Sequence, residues 1–246
     1  MGGPSSTPTL TLSESRKGVE PITSAPFSNK MKSNKSKIIV ILGQTATGKS
    51  GLAVRVAKKF KGEVISADSR QVYKGLDIGT GKITKMEMQG VHHWLLDVVN
   101  PKDAFSVAQF QELAKAKIKT IFKRSKLPII CGGTGFYIDS IVNNTVLPEV
   151  PPNEKLRIEL EEKTAEDLAF MLKKLDEDRY DSIDINNKVR LIRAIEIVKA
   201  IGKVPKILNK ESEYNFIKIG LALGDDELKS KITRRLKSRI KAGMIE

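Results

Sequence analysis

With 246 residues, the chain can bury one sizeable α/β core and still carry a modest insertion. Its 43 basic and 29 acidic side chains leave a formal charge of +14, which points to a polyanion such as nucleic acid as partner; a lysine-rich surface serving solubility is the alternative. A single cysteine, Cys131, excludes a disulfide framework and Cys-rich zinc sites, and no apolar run is long enough to cross a bilayer, so a cytoplasmic protein with no membrane partner is expected.

Residues 1–36 are rich in Ser, Thr, Pro and Lys and too poor in apolar side chains to join a core, so they read as a disordered extension. A transit peptide and a start at Met31 are the alternatives. An apolar run over 38–42 leads into Gly43, Gln44, Thr45, Ala46, Thr47, Gly48, Lys49 and Ser50. These fit G-x-x-x-x-G-K-[ST] between a strand and a helical pattern of Leu52, Val56 and Phe60. In that setting the loop amides and the positive end of the helix cradle phosphate, Lys49 reaches it as a point charge, and the Ser50 hydroxyl can take a place on magnesium. The site therefore binds a di- or triphosphate, and the loop alone does not say which.

Residues 63–68 read as a second strand delivering Asp68 to the carboxyl edge of the sheet, where ligands of open α/β folds bind. The polar loop over 69–82 has the length of a functional loop. A third strand is expected over 92–99, with the adjacent His92 and His93 on opposite faces and without metal-ligand spacing. Ser106 and Gln109 make a capping box for a helix carrying Phe110, Ala114, Ile118 and Phe122. A buried strand over 127–131 runs into Gly132, Gly133, Thr134 and Gly135, a second glycine-rich turn able to enclose a ligand from the other side. Strands alternating with helices imply an α/β core over 37–147, a mainly parallel sheet flanked by helices.

The proline-rich stretch from 148 opens an inserted helical subdomain over 148–212. Within it Arg190 and Arg193 share a helical face, opposite Leu191, Ile195 and Val198, and can grip phosphates; a solvated face with an arginine paired to Glu196 is the plainer reading. Strand period returns at Ile217, Ile219, Leu221 and Leu223, so 213–246 rejoin the core. The last helix is expected to turn Leu228, Ile232, Leu236 and Ile240 inward. Residues 242–246 read as a helix cap leading into further structure, so a C-terminal truncation is expected.

Taken together, and in this order, the phosphate loop, the 65–73 stretch with Asp68, Ser69, Gln71 and Tyr73, residues 75–80, His92 and His93 followed by Leu95, Leu96 and Asp97, the 132–135 turn and residues 186–193 resemble the tRNA dimethylallyltransferases. The likeness runs from about residue 37 to the end, and D-S-x-Q-x-Y beside a phosphate loop is its most specific part. It implies a P-loop NTPase-like fold and transfer of a dimethylallyl group from dimethylallyl diphosphate to the N6 amine of adenosine 37, next to a tRNA anticodon. By this resemblance Lys49, Thr45, Arg235 and a Mg2+ held partly by Ser50 would stabilise the departing diphosphate, and Asp68 would accept the amine proton.

The resemblance also implies tRNA contacts at Asp68, Ser69, Arg70, Gln71 and Thr134, and at Val189, Arg190, Leu191, Ile192 and Arg193, with the target base flipped out of the anticodon loop of a tRNA bound by a monomer. Asp184 and Ile185 stand where the family usually has His-Pro, Val189 where it has a polar residue, and Asp225 where arginine is common. The rival readings are an adenylate isopentenyltransferase acting on a free nucleotide, a P-loop nucleotide kinase, and an RNA-binding module with an inactive site. Arg190 and Arg193 speak for RNA as acceptor.

Overall fold

The computed structural model describes residues 35–206 and 208–245, so the extension expected over 1–36 lies outside it save at its end, where Ser36 already belongs to a strand. The core begins with β1 (Ser36–Gly43), α1 (Lys49–Phe60) and β2 (Gly62–Ser66), and two short helices, α2 (Asp77–Thr80) and α3 (Lys85–Met88), follow in the long loop. Next come β3 (His93–Trp94), α4 (Val107–Lys123), β4 (Leu127–Gly132), α5 (Gly135–Val142) and β5 (Thr145–Val146). Four helices come after them: α6 (Glu154–Glu161), α7 (Ala165–Leu175), α8 (Glu177–Ser182) and α9 (Lys188–Ile201). The chain returns through β6 (Leu208–Asn209) and β7 (Tyr214–Leu221) to α10 (Asp225–Lys241).

Five strands form one parallel sheet in the order β3-β2-β4-β1-β7. Its central strands β1 and β4 are near-continuously apolar because helices cover both faces, whereas edge strand β7 has no buried residue. Ile38, Val40, Ile65 and Ile130 pack against Phe110, Ala114, Ile118 and Ile121 of α4 and against Ile138 and Ile141 of α5. Ile41, Val64 and Ile129 pack on the other side against Ala53 and Ala57 of α1. Leu52 and Val56 only flank that cluster, and Phe60 is exposed, so the buried stripe of α1 lies one position round from the expected one. The Ser106–Gln109 capping box starts α4 as expected.

The third strand is shorter than its apolar run. Leu95 and Asp97 adopt left-handed backbone (φ 63° and 55°), which ends the ladder after Trp94. Buried Glu63 ties this edge together, accepting from Trp94 Nε1 at 2.8 Å and from Lys126 Nζ at 2.8 Å. Burial alone would raise its pKa, but these bonds outweigh it and hold the carboxyl below its ordinary value.

Helices α6 to α9 wrap a core of their own, with Leu160, Leu168, Leu172, Leu191, Ile195 and Val198 at its centre. The antiparallel pair β5–β6 closes the chain at its base, with Thr145 opposite Asn209. Glu196 of α9 is buried and accepts from Arg157 (3.0 and 3.1 Å), from the Asn153 amide (2.6 Å) and from Arg193.

The last helix departs from the expected arrangement after Leu228, which is half-buried as expected. Ile232, Leu236 and Ile240 are 42%, 46% and 44% exposed, and no residue of α10 is buried. Its inward row is instead Lys231, Arg235 and Arg239, spaced four apart and turned toward the carboxyl edge of the sheet.

Candidate functional site

One cleft of about 1110 Å3 opens at the carboxyl edge of β1, β2 and β4, and the two glycine-rich turns meet there. The phosphate loop holds Ala46 and Gly48 at positive φ (65° and 89°), and Gly48 is the N-cap of α1, so the helix begins at the cleft. Gly43, Gln44, Thr45, Ala46, Gly48, Lys49 and Ser50 line the cleft. Thr47 does not: it is buried, and its hydroxyl donates to the Gln44 carbonyl at 2.8 Å, bracing the loop from behind.

Lys49 leans over the loop and donates to the Gln44 carbonyl. Burial holds its ammonium below the ordinary value; Asp68 opposes that shift and Arg235 adds to it. The second turn lies alongside, since a Cβ on Gly133 would sit 3.9 Å from Lys49 Nζ. Cys131, the residue before this turn, is pushed up to about 12 by burial and stays a protonated thiol.

Asp68 stands two residues past the end of β2. The ladder is carried on by Ala67, whose N–H donates to the Cys131 carbonyl at 2.8 Å and whose carbonyl accepts from the Thr134 N–H at 3.2 Å. One carboxylate oxygen of Asp68 accepts from the Arg70 N–H at 2.9 Å, which sets the turn that follows. The Thr134 hydroxyl accepts from the Ser69 N–H at 2.9 Å and donates to Ser69 Oγ at 3.2 Å. Through these bonds the structure brings Asp68, Ser69, Arg70, Gln71 and Thr134 into the same cleft as the phosphate loop and Arg235.

The far wall is the loop over 77–82. Lys82, its side chain only 5% exposed, donates to the Tyr73 carbonyl at 2.9 Å and pairs with Asp77 and Asp97. The Gly81 carbonyl faces the cleft and accepts from Arg235 Nη2 at 3.0 Å and Gln71 Nε2 at 3.4 Å. His93 also lines the cleft, its Nδ1 2.9 Å from the Val91 carbonyl; burial lowers its pKa, so the ring is neutral at neutral pH. Arg239 and His93 line the cleft and were not singled out from the sequence as site residues, whereas Lys82 braces the loop from behind. The four-residue spacing from Arg235 to Arg239 was the signal for the first.

The segment Val189 to Arg193 lies outside this cleft. Leu191 and Ile192, expected among the tRNA contacts, are buried in the core of the helical subdomain, so their side chains are spent on packing and face no partner. Arg193 holds Glu196 and donates to the Val150 carbonyl at 2.8 Å. Val189 and Arg190 alone of the five are exposed.

For magnesium, the hard oxygen of Ser50 at the start of α1 fits a metal that keeps most of its ligands as water and substrate phosphate. Among the described residues no cluster of three His, Cys, Asp or Glu side chains is placed to hold a metal by itself. Nor is any described helix long and apolar enough to cross a membrane.

Comparison with known proteins identifies the family. The chain is 43% identical over 214 residues to the tRNA dimethylallyltransferase of Anoxybacillus flavithermus, covering 85% of this chain and 69% of that protein. It resembles the crystal structure of the tRNA isopentenylpyrophosphate transferase of Bacillus halodurans (TM-score 0.59, 41% identity, 85% of this chain and 67% of that one). It also resembles a eukaryotic dimethylallyltransferase solved acting on tRNA (TM-score 0.72, 29% identity, 85% and 54%). The IPP transferase family model matches residues 71–246, and with phosphate loop, Asp68 turn and basic helix arranged around one cleft, the chain belongs to the tRNA dimethylallyltransferase family.

Proposed function

We propose that this cleft moves a dimethylallyl group from dimethylallyl diphosphate to the N6 amine of adenosine 37 in tRNA. The observation that carries the reading is the meeting of a phosphate cradle (Lys49, Ser50 and the loop amides), a carboxylate at a strand end (Asp68) and an arginine (Arg235) around one open volume. A nucleotide kinase would also use the cradle and could use a strand-end carboxylate, so the group transferred is what separates the two readings.

In the reaction the N6 nitrogen bonds to the allylic carbon as the bond from that carbon to the diphosphate oxygen breaks. The leaving group gains charge, and Lys49, Arg235 and the loop amides stand where donors fixed in advance stabilise it. Thr45, exposed at the loop, adds a hydroxyl at the same wall. The nitrogen loses a proton, and Asp68 takes it. Magnesium at Ser50 would supply further neutralisation of the diphosphate when bound. Ser69, Arg70, Gln71 and Thr134 border the place of the flipped base, and Arg190 with Val189 presents the helical subdomain to the RNA.

The test is incubation with dimethylallyl diphosphate, magnesium and an unmodified tRNA that has adenine 3′ to its anticodon, followed by mass analysis of the nucleosides. Prenylated adenosine from tRNA is expected, and none from AMP in a parallel reaction. Prenylation of AMP but not of tRNA would overturn the choice of acceptor, and transfer of the γ-phosphate of ATP would overturn the chemistry. Lys49→Ala should abolish turnover while leaving RNA binding intact.

A further inference from the structure

The basic row of α10 goes further than Arg235. Arg239 lies one turn on, faces the same cleft, and donates from Nη1 to the Gly79 carbonyl at 3.1 Å. Its Nε is buried and makes no hydrogen bond among the described residues. Both guanidiniums crowd the same spot, for a Cβ on Gly81 would lie 2.5 Å from Arg235 Nη2 and closer still to Arg239. A buried N–H of a cation without an acceptor is costly, and so are two like charges side by side. An oxyanion between them removes both costs at once.

The cations form a series from the phosphate loop outward. Arg235 is close enough to Lys49 and to Arg239 to depress the pKa of each, and burial is the larger cause in both. Asp68 acts on both Lys49 and Arg239 in the opposite sense. The series is built into the fold at two points. The Gly79 and Gly81 carbonyls each accept from one of the arginines, and Gly81 itself, at φ 60° and without a side chain, leaves room for their heads.

We infer that Arg239 is a second guanidinium on the donor's diphosphate, completing with Arg235 an oxyanion seat at the Gly79–Gly81 turn, opposite the seat formed by the phosphate loop. The planar fork of arginine suits two oxygens of one phosphoryl group, so that Lys49 and the loop amides hold one phosphate while Arg235 and Arg239 share the other. During transfer the allylic C–O bond gives its electron pair to the diphosphate, and Arg239 would help take up that charge as it develops. No residue of α10 is buried, so substitution of Arg239 leaves both cores untouched. This inference rests on the function proposed above.

The experiment is calorimetric titration with inorganic diphosphate and magnesium of the parent protein, R239Q, R239K, R235Q and G81A, with RNA binding to an unmodified anticodon stem-loop measured in parallel. R239Q should weaken diphosphate binding about tenfold, as expected for loss of a charged hydrogen-bonding partner, and leave RNA binding unchanged. R239K should recover part of the loss because it keeps the charge and loses the fork. G81A, which displaces both heads without removing a charge, should weaken diphosphate in the same direction. Parent protein that binds diphosphate while R239Q binds it equally well would overturn the inference and leave the proposed function standing. Loss of RNA binding alone in R239Q would give Arg239 to an RNA phosphate and also overturn it. Parent protein that fails to bind diphosphate would overturn the functional reading itself, and the inference with it.

Discussion

Substituting Gly132 by alanine tests whether the position of Asp68, and not merely its presence, sets the rate. Gly132 is the last residue of β4, next to the segment by which β2 delivers Asp68. A Cβ there would lie 2.8 Å from the Ala67 Cα and nearer still to the Ala67 carbonyl. Carbon atoms in ordinary contact stand about 3.5–4.0 Å apart and the Ala67 carbonyl carbon would be at 2.4 Å, so the end of β2 must retreat by about 1 Å or more. The atoms in the way are backbone, which cannot rotate aside. The same displacement strains the bonds from Ala67 to Cys131 and Thr134, which hold the turn that carries Asp68.

Misplacing a catalytic group by about 1 Å costs on the order of 10²-fold in rate, and overpacking a tight site costs about 1–3 kcal/mol of stability. Gly132→Ala is therefore expected to lower kcat about a hundredfold. Diphosphate binding should fall less than kcat, because the clash is with Ala67 of β2, whereas β1 and α1 carry the phosphate loop. The assay is steady-state prenyl transfer at saturating donor and tRNA, alongside urea unfolding and diphosphate titration of the same preparation. A folded Gly132→Ala protein with kcat within about threefold of the parent would refute the claim that this backbone contact positions the base.

Two further predictions concern the helical subdomain. Glu196→Ala leaves Arg157 and Arg193 facing a buried position without their acceptor, and should cost about 3 kcal/mol in urea unfolding, the low end for a buried pair because each arginine side chain keeps 35% of its surface exposed. Burial would raise the Glu196 pKa, but the bonds from Arg157, Asn153 and Arg193 outweigh it and lower it. Its contribution is thus present above the ordinary glutamate value and lost as pH falls through the depressed one, so the stability difference between parent and variant should shrink in acid. Arg190→Ala should weaken RNA binding uniformly across sequences and reduce the slope of log affinity against log salt by about one, with diphosphate binding unchanged; an unaltered slope would remove Arg190 from the RNA surface.

The phosphate loop, the delivery of Asp68 to the sheet edge and the second glycine turn were all legible in the sequence, because each depends on a local rule: a strand, a glycine at a bend, a helix start. What was not legible depends on contacts distant in sequence. The 92–99 run is apolar enough for a strand, yet Leu95 and Asp97 turn left-handed and it stops after two residues. Contiguous motifs mislead in a related way. The 189–193 block came over as a unit, but a helix alternates its faces within any five residues, so Leu191 and Ile192 had to point away from whatever Arg190 meets.

The last helix carries this point furthest. Periodicity in α10 separates an apolar row from a basic row, and says nothing about which row the fold turns inward. The usual inference gives the apolar row to the core. In α10 the neighbouring surface is no core: it is a loop whose Gly79 and Gly81 carbonyls point outward beside a phosphate cradle, and those acceptors fix the partner they take. Arg235 and Arg239 go to the carbonyls, and Ile232, Leu236 and Ile240, one position round the helix, are left exposed. The orientation of α10 thus follows the chemistry of the cleft it borders, which a reading based on burial does not contain; Arg235 was marked for the site by the family resemblance instead.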